Sequence, residues 1–183
     1  MSGPAPAAGH VILVGLPGAG KTTVGRRAAR LLRRPFLDFD EEIERREGRS
    51  VARIFAELGE PHFRAAERAL TAELRAAPPA VLAPGGGWIE SSDAVGLLRP
   101  PARLVYLRAT PATVLRRLGA GRAARPLLAG PDPVGAIERI FERRRLAYES
   151  ADVTLDTEIL GIEKLIDAVV QLVTTGGAGY VTG

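Results

Sequence analysis

The 183-residue chain contains no cysteine, which excludes disulfides and any cysteine-based metal site and suits a reducing cytoplasm, the expected location. No apolar run is long enough to span a membrane. The first ten residues, MSGPAPAAGH, lack the charged and apolar regions of a signal peptide and read as a disordered lead-in. Aromatic residues make up only 5%. Lysine is nearly absent too: of 25 basic residues only Lys21 and Lys164 are lysines. The isoelectric point near 10.1 raises the question of nucleic acid. However, the net charge is only +4, and arginine alternates with glutamate in "EEIERREGR" and "IERIFERRR", as on solvated mixed helix faces. With neither a basic block nor an aromatic stacking platform, no nucleic-acid partner is expected.

What remains is an ordinary soluble composition, 46% hydrophobic and 25% charged, in a length that fits one domain. "HVILVG" reads as a buried strand. "TTVGRRAARLLRR" carries apolar residues at helical spacing, and Pro35 stops it. "FLDFD" is a second strand. "EEIERREG", "SVARIFAELG" and "PHFRAAERALTAELRAA" are helices, with Gly48 as a stop, Ser50 as a cap and Pro61 in a first turn. "AVLAPGGGW" is a strand entering a glycine triplet. Helix "SSDAVGLLR", strand "ARLVYLRA", helix "TPATVLRRLG", helix "PVGAIERIFERRRLAYES", strand "DVTLDT" and helix "GIEKLIDAVVQLVTT" follow. Alternating strands and helices predict an α/β fold with a parallel sheet covered by helices on both faces. The expected organisation is a lead-in over 1–9, one domain over 10–175 and a loose tail over 176–183. The stretch 119–133, rich in Gly, Pro, Ala and Arg, is long for a connection and reads as an active-site lid or a disordered loop.

Gly15, Gly20, Lys21 and Thr22 match G-x-x-x-x-G-K-[ST], between a predicted strand and a predicted helix, as a phosphate-binding loop requires. Glycines let backbone N–H groups surround a phosphate, and the following helix points its positive end at the same anion. Gly18 fits the tight turn. Lys21 would bridge the outer phosphates and the Thr22 hydroxyl would ligate Mg²⁺. A nucleoside triphosphate and Mg²⁺ follow, but no acceptor is named, because many kinases and NTPases share this loop.

Asp38 and Asp40 close "FLDFD", and two strand positions apart they point to one face. A carboxylate near Mg²⁺ and another near an acceptor hydroxyl is the pairing phosphoryl transfer uses. The plainer role for an Asp here is a helix cap. Phe55 and Phe63 fit either the core or a pocket wall. Arg64 fits either the surface or a carboxylate fork. The triplet Gly85, Gly86 and Gly87 reads as backbone approaching a ligand, or as a turn. Arg122 and Arg125 lie in the 119–133 stretch, where an arginine can fold over transferring phosphates. Arg143, Arg144 and Arg145 are not distinguished by periodicity.

Together "GLPGAGKTTVG", "FLDFDEEIE", "SVARIFAELGEPHFRAAE", "GGG", "RPLLAGP" and "RRLAY" followed by "VTLDT" resemble the shikimate kinase family over about 11–173. The resemblance implies a three-layer P-loop NTPase fold of the nucleoside-monophosphate-kinase-like type, with a five-stranded parallel sheet and a mobile lid. It implies transfer of the ATP γ-phosphate to the shikimate 3-hydroxyl, a step of chorismate and aromatic amino acid biosynthesis. Lys21, Asp40 and Arg125 are then catalytic. Gly18, Ala19, Gly20, Lys21, Thr22, Thr23, Arg117 and Arg125 bind ATP, with Arg117 near the adenine. Asp40, Arg64, Gly85, Gly86, Gly87 and Arg144 bind shikimate, the two arginines on its carboxylate. Thr22 ligates Mg²⁺ and Asp38 reaches it through water. Two features depart from the family's pattern. Bulky Trp88 follows the triplet where a small residue is expected, and the adenine-end segment "DTEILGIE" lacks the Arg and Pro often found there.

Two other readings compete. A gluconate-kinase-like enzyme would keep the loop but need no carboxylate clamp, which Arg64 and Arg144 argue against. A non-catalytic kinase-like sensor would have lost Lys21, Asp40 or Arg125, and all are present. No amphipathic stripe is left over once the core helices are counted, so a monomer is expected.

Overall fold

The structure is a computed structural model that describes residues 9–175. The expected tail over 176–183 and all but the last residue of the lead-in lie outside the described residues. Five strands, β1 (Val11–Val14), β2 (Phe36–Asp38), β3 (Val81–Ala83), β4 (Arg103–Arg108) and β5 (Val153–Asp156), form one sheet in the order β2-β3-β1-β4-β5. Every pairing is parallel, with Ile12 opposite Leu82 on one side and Leu104 on the other. All four residues of β1 are buried, as for a central strand covered on both faces.

Eight α-helices flank the sheet among the described residues: α1 (Lys21–Leu32), α2 (Phe39–Glu47), α3 (Val51–Glu57), α4 (Glu60–Leu74), α5 (Ser92–Leu98), α6 (Pro111–Leu118), α7 (Pro133–Glu149) and α8 (Ile162–Thr174). Their ends follow sequence chemistry. Ser50, Ser91, Thr110 and Asp132 each accept a backbone N–H at a helix start. Gly48 ends α2 in the left-handed conformation. The small residues Gly25, Ala28 and Ala29 let α1 pack closely on the core. Buried His10 ties the start of β1 to the α4–β3 connection. Its Nδ1 accepts the Ala80 N–H at 3.0 Å, so Nε2 carries the proton and donates to the Leu74 carbonyl at 2.9 Å.

Three expectations shift. The second strand stops at Asp38 and α2 starts at Phe39, so Asp40 stands in a helix's first turn and not on the strand. The physical reason is Asp38 itself. Its Oδ1 accepts the Asp40 and Glu41 N–H groups at 3.0 and 3.3 Å and turns the chain into a helix. The stretch 119–133 is not plain loop: it holds 3-10 turns at Gly119–Ala124 and Pro126–Leu128. Leu128 is buried and anchors the second turn to the core. Gly9, assigned to the lead-in, is buried, and its carbonyl accepts a hydrogen bond from Arg34.

Candidate active site

The carboxyl ends of β1, β2 and β3 open into one cavity of about 550 Å³, where ligands gather in open α/β sheets. Its walls come from the phosphate loop, the start of α2, the front of α4, the glycine triplet, the 3-10 turns over 119–128 and one buried face of α7. Of the residues expected to bind ATP or acceptor, all but Ala19 line it. Ala19 faces the core instead, and its N–H donates to the Leu16 carbonyl at 3.1 Å. The side chain of Arg122 is outside the described residues.

On the phosphate side, Gly20 precedes α1 at φ 101°, a conformation that a residue with a Cβ rarely adopts. No side chain caps α1, and its first turn holds no acid, so the positive end of the helix stays available to an anion. Lys21 Nζ donates to the carbonyls of Gly15 and Leu16 at 3.0 and 3.1 Å, closing the loop on itself. Burial lowers its ammonium to about 8, although Asp40 and Asp38 pull the other way. Thr22 Oγ1 donates to Asp38 Oδ2 at 2.6 Å. This hydroxyl and carboxylate form a hard-oxygen pair at the loop's mouth, of the kind Mg²⁺ accepts alongside phosphates and water. Arg117 is held at the end of β5: it donates to the Thr157 hydroxyl at 2.9 Å and to the Thr157 carbonyl at 2.8 Å.

On the acceptor side, burial pushes the Asp40 carboxyl up, and neighbouring Asp38 adds to the effect. Arg64 is fixed by Glu60, at 2.8 Å, and by Glu67 Oε2, at 2.5 Å. Glu67 is 2% exposed, and burial raises its carboxyl to about 7 against the pull of Arg64. A side chain anywhere on the triplet would crowd the polar groups that close on it. A Cβ on Gly87 would lie 2.4 Å from an Arg64 guanidinium nitrogen, and one on Gly85 would lie 2.8 Å from Glu67 Oε1. Arg144 Nη1 stands 3.2 Å from the place of a Gly86 Cβ.

The structure distinguishes the three arginines that periodicity could not. Arg144 is 1% exposed and lines the cavity, whereas Arg143 and Arg145 point to solvent. Four residues on, Tyr148 is buried, donates to the Gly86 carbonyl at 2.9 Å and stacks on Tyr106 at 5.0 Å. Trp88 packs beneath the triplet and does not line the cavity. Its Nε1 donates to Thr71 Oγ1 at 2.9 Å, and its ring meets Phe39 edge-on. Of the two phenylalanines, both reach the cavity wall, Phe63 as a buried core residue and Phe55 partly exposed. The segment "DTEILGIE" is ordered by its own bonds. Asp156 holds Arg108 and caps Glu158 and Ile159, and Glu158 accepts the Thr110 N–H.

Sequence reasoning placed Glu67 close to Arg64 without giving it a role, and missed Glu90 and Thr157 as partners that fix the site's arginines. The three-residue spacing from Arg64 to Glu67 on one helix was a usable signal. Glu90 and Thr157 meet arginines 54 and 40 residues away, and nothing local marks such pairs.

The comparisons agree with this geometry. The shikimate kinase family model matches residues 17–174. A shikimate kinase of Caulobacter vibrioides is 41% identical over 165 residues, 88% of this chain and 82% of that protein. The solved shikimate kinase of Acinetobacter baumannii in complex with shikimate superposes with a TM-score of 0.85 at 35% identity, covering 95% of this chain and 96% of that one. A gluconokinase of Sinorhizobium meliloti 1021 shares the fold at a TM-score of 0.56 and 18% identity, covering 90% of this chain and 91% of its own. A phosphate loop opening onto a cavity with two fixed arginines, together with a family model matched over most of the chain, shows that this protein belongs to the shikimate kinase family.

Proposed function

We propose that this chain transfers the γ-phosphoryl group of ATP to the 3-hydroxyl of shikimate, giving shikimate 3-phosphate and ADP. The observation that carries this reading is the convergence of Lys21, Asp40, Arg64 and Arg144 on one cavity. A lysine suited to phosphate and a buried carboxylate share that cavity with two arginines that an anionic polyol acceptor would engage. The gluconokinase likeness, at 18% identity, speaks for the fold alone; gluconate also carries a carboxylate, so it is the family match over most of the chain that favours shikimate, and the presence of Lys21, Asp40 and Arg125 speaks against a sensor that only binds the acid.

Each residue has a physical role in this account. The uncapped start of α1 and the N–H groups of the loop bind the β- and γ-phosphates. Lys21 leaves its loop carbonyls for the phosphate oxygens, and their charge restores its proton affinity. Thr22 would ligate Mg²⁺ and Asp38 would hold a water of its shell; the ion, when bound, neutralises phosphate charge. Arg64 and Arg144 grip the acceptor carboxylate, and the triplet backbone admits the ring at close range. Asp40 accepts the proton of the 3-hydroxyl as its oxygen bonds to the γ-phosphorus and the bond to the ADP oxygen breaks. Arg125 lies over the transferring group, and the lid over 119–133 excludes water that would otherwise hydrolyse ATP. Arg117, set against Thr157, borders the adenine.

Phosphorus NMR of the product mixture tests the reading. One new monoester resonance, coupled to the proton on C3 of shikimate, is expected. A phosphate on another hydroxyl, or inorganic phosphate alone, would overturn it.

A further inference from the structure

The 3-10 turn Trp88–Glu90 directly follows the glycine triplet. It is tied to the helices on both sides. Trp88 bonds Thr71 of α4, and the Thr71 hydroxyl donates to the Glu67 carbonyl at 2.7 Å. Glu90 reaches the other way, to α7, where it meets two consecutive arginines. Arg143 Nε donates to Glu90 Oε1 at 2.5 Å from the solvent side. Arg144 Nη2 donates to Oε2 at 3.3 Å from within the protein, and Arg144 Nε lies 3.3 Å from Oε1.

Arg144 needs such a partner. Its side chain is 1% exposed, and a buried guanidinium without a counter-charge is strongly unfavourable. Glu90 is the carboxylate ion-paired with it among the described residues. Arg144 Nε, though close, makes no well-aligned hydrogen bond, so the pair is set side-on and leaves Nη1 directed at the triplet. Arg143 holds the same carboxylate from outside and limits its rotamers. The Glu90 N–H also donates to the Gly87 carbonyl at 3.1 Å, so one residue fixes both the triplet's exit and the guanidinium beside it.

We infer that Glu90 is a positioning residue for the acceptor site, holding Arg144 so that one edge of its guanidinium is spent on Glu90 and the other is presented to the substrate carboxylate. This inference rests on the reading that Arg144 binds that carboxylate. Glu90 touches no reacting atom.

The test compares E90A, E90Q and E90D with R144A in steady-state kinetics, using shikimate and its methyl ester, which lacks the negative charge. E90A should raise the KM for shikimate about tenfold, as for a lost charged hydrogen bond. The KM for ATP should stay within about twofold. E90D should recover part of the loss, and E90Q less. Both E90A and the unaltered protein should use the methyl ester equally poorly, because the clamp has no charge to grip there. A shikimate KM that is unchanged or lower in E90A, or an equal penalty on shikimate and its ester, would overturn the inference. Should E90A not fold, E90Q and E90D carry the same comparison. If R144A leaves the shikimate KM unchanged, the carboxylate-clamp reading fails and the inference falls with it. If R144A raises it and no Glu90 variant does, only the inference fails.

Discussion

Thr22 and Asp38, 16 residues apart, share a 2.6 Å hydrogen bond at the mouth of the phosphate loop. The same carboxylate caps α2 through its other oxygen. The cap therefore uses one oxygen and leaves the other, bonded to Thr22, for the proposed metal-side role, so the two readings that the sequence set against each other are compatible. They separate by substitution. Asp38→Asn keeps an N-capping oxygen and should cost little stability, whereas Asp38→Ala should cost about 1 kcal/mol. Both should lower kcat and raise the Mg²⁺ concentration needed for half-maximal rate. Thermal melts and Mg²⁺ titrations check the two halves, and full activity in Asp38→Asn would confine Asp38 to capping.

Asp40→Asn keeps the size of the side chain and removes the proton acceptor. Turnover should fall by about 10² to 10⁴, with ATP affinity retained or improved, because a carboxylate near the phosphates is gone. Calorimetric titration with a non-hydrolysable ATP analogue, beside steady-state rates, measures both. Undiminished turnover would remove Asp40 from the chemistry.

Gly87→Ala separates function from stability. Gly87 has φ −90°, which alanine adopts freely. The clash is with the guanidinium end of Arg64, a side-chain end that can swing aside without moving the backbone, at the cost of its ion pairs with Glu60 and Glu67. The melting temperature should therefore change by only a few degrees, while the shikimate KM rises about tenfold as Arg64 is displaced from its fork. A large loss of stability with normal KM would mean that the triplet serves the fold alone.

The pH dependence follows from two shifted groups. Burial and Asp38 raise Asp40, so the acid limb of kcat/KM should lie above the ordinary carboxylate value of about 4. Burial lowers Lys21 to about 8, so kcat/KM for ATP should fall as pH rises through about 8 and the ammonium is lost. In kcat the alkaline limb should move higher, because bound phosphates favour the charged lysine. Stability runs the other way. A base whose folded value lies below its unfolded one binds fewer protons when folded, so Lys21 adds stability as pH rises from about 8 to its unfolded value of 10.5. An alkaline limb at the same pH in kcat and in kcat/KM would contradict this assignment.

Much of this was legible in the sequence because it is local. The strand, glycine loop and helix around Lys21 are adjacent in the chain, and apolar periodicity marks each layer. Asp40 was found for an incorrect reason. Strand alternation placed it beside Asp38, whereas the cap at Asp38 begins a helix and the first turn delivers Asp40 to the cavity. Periodicity alone did not choose Arg144 over its neighbours; the family resemblance did, and the packing of α7 supplies the physical reason, since Arg144 is buried beside the triplet while Arg143 and Arg145 face solvent. Trp88 looked out of place beside three glycines because its destination, the hydroxyl of Thr71, lies 17 residues earlier. The partners that aim the arginines, Glu90 and Thr157, arise only once distant elements meet.

The central claim is that the phosphate loop serves shikimate in particular and not carboxylate-bearing polyols at large. ADP release from Mg·ATP, measured with shikimate, quinate, gluconate or no acceptor, tests it most directly. A large rise with shikimate alone is the predicted result. Equal release with gluconate, or no rise with any acceptor, would contradict the account.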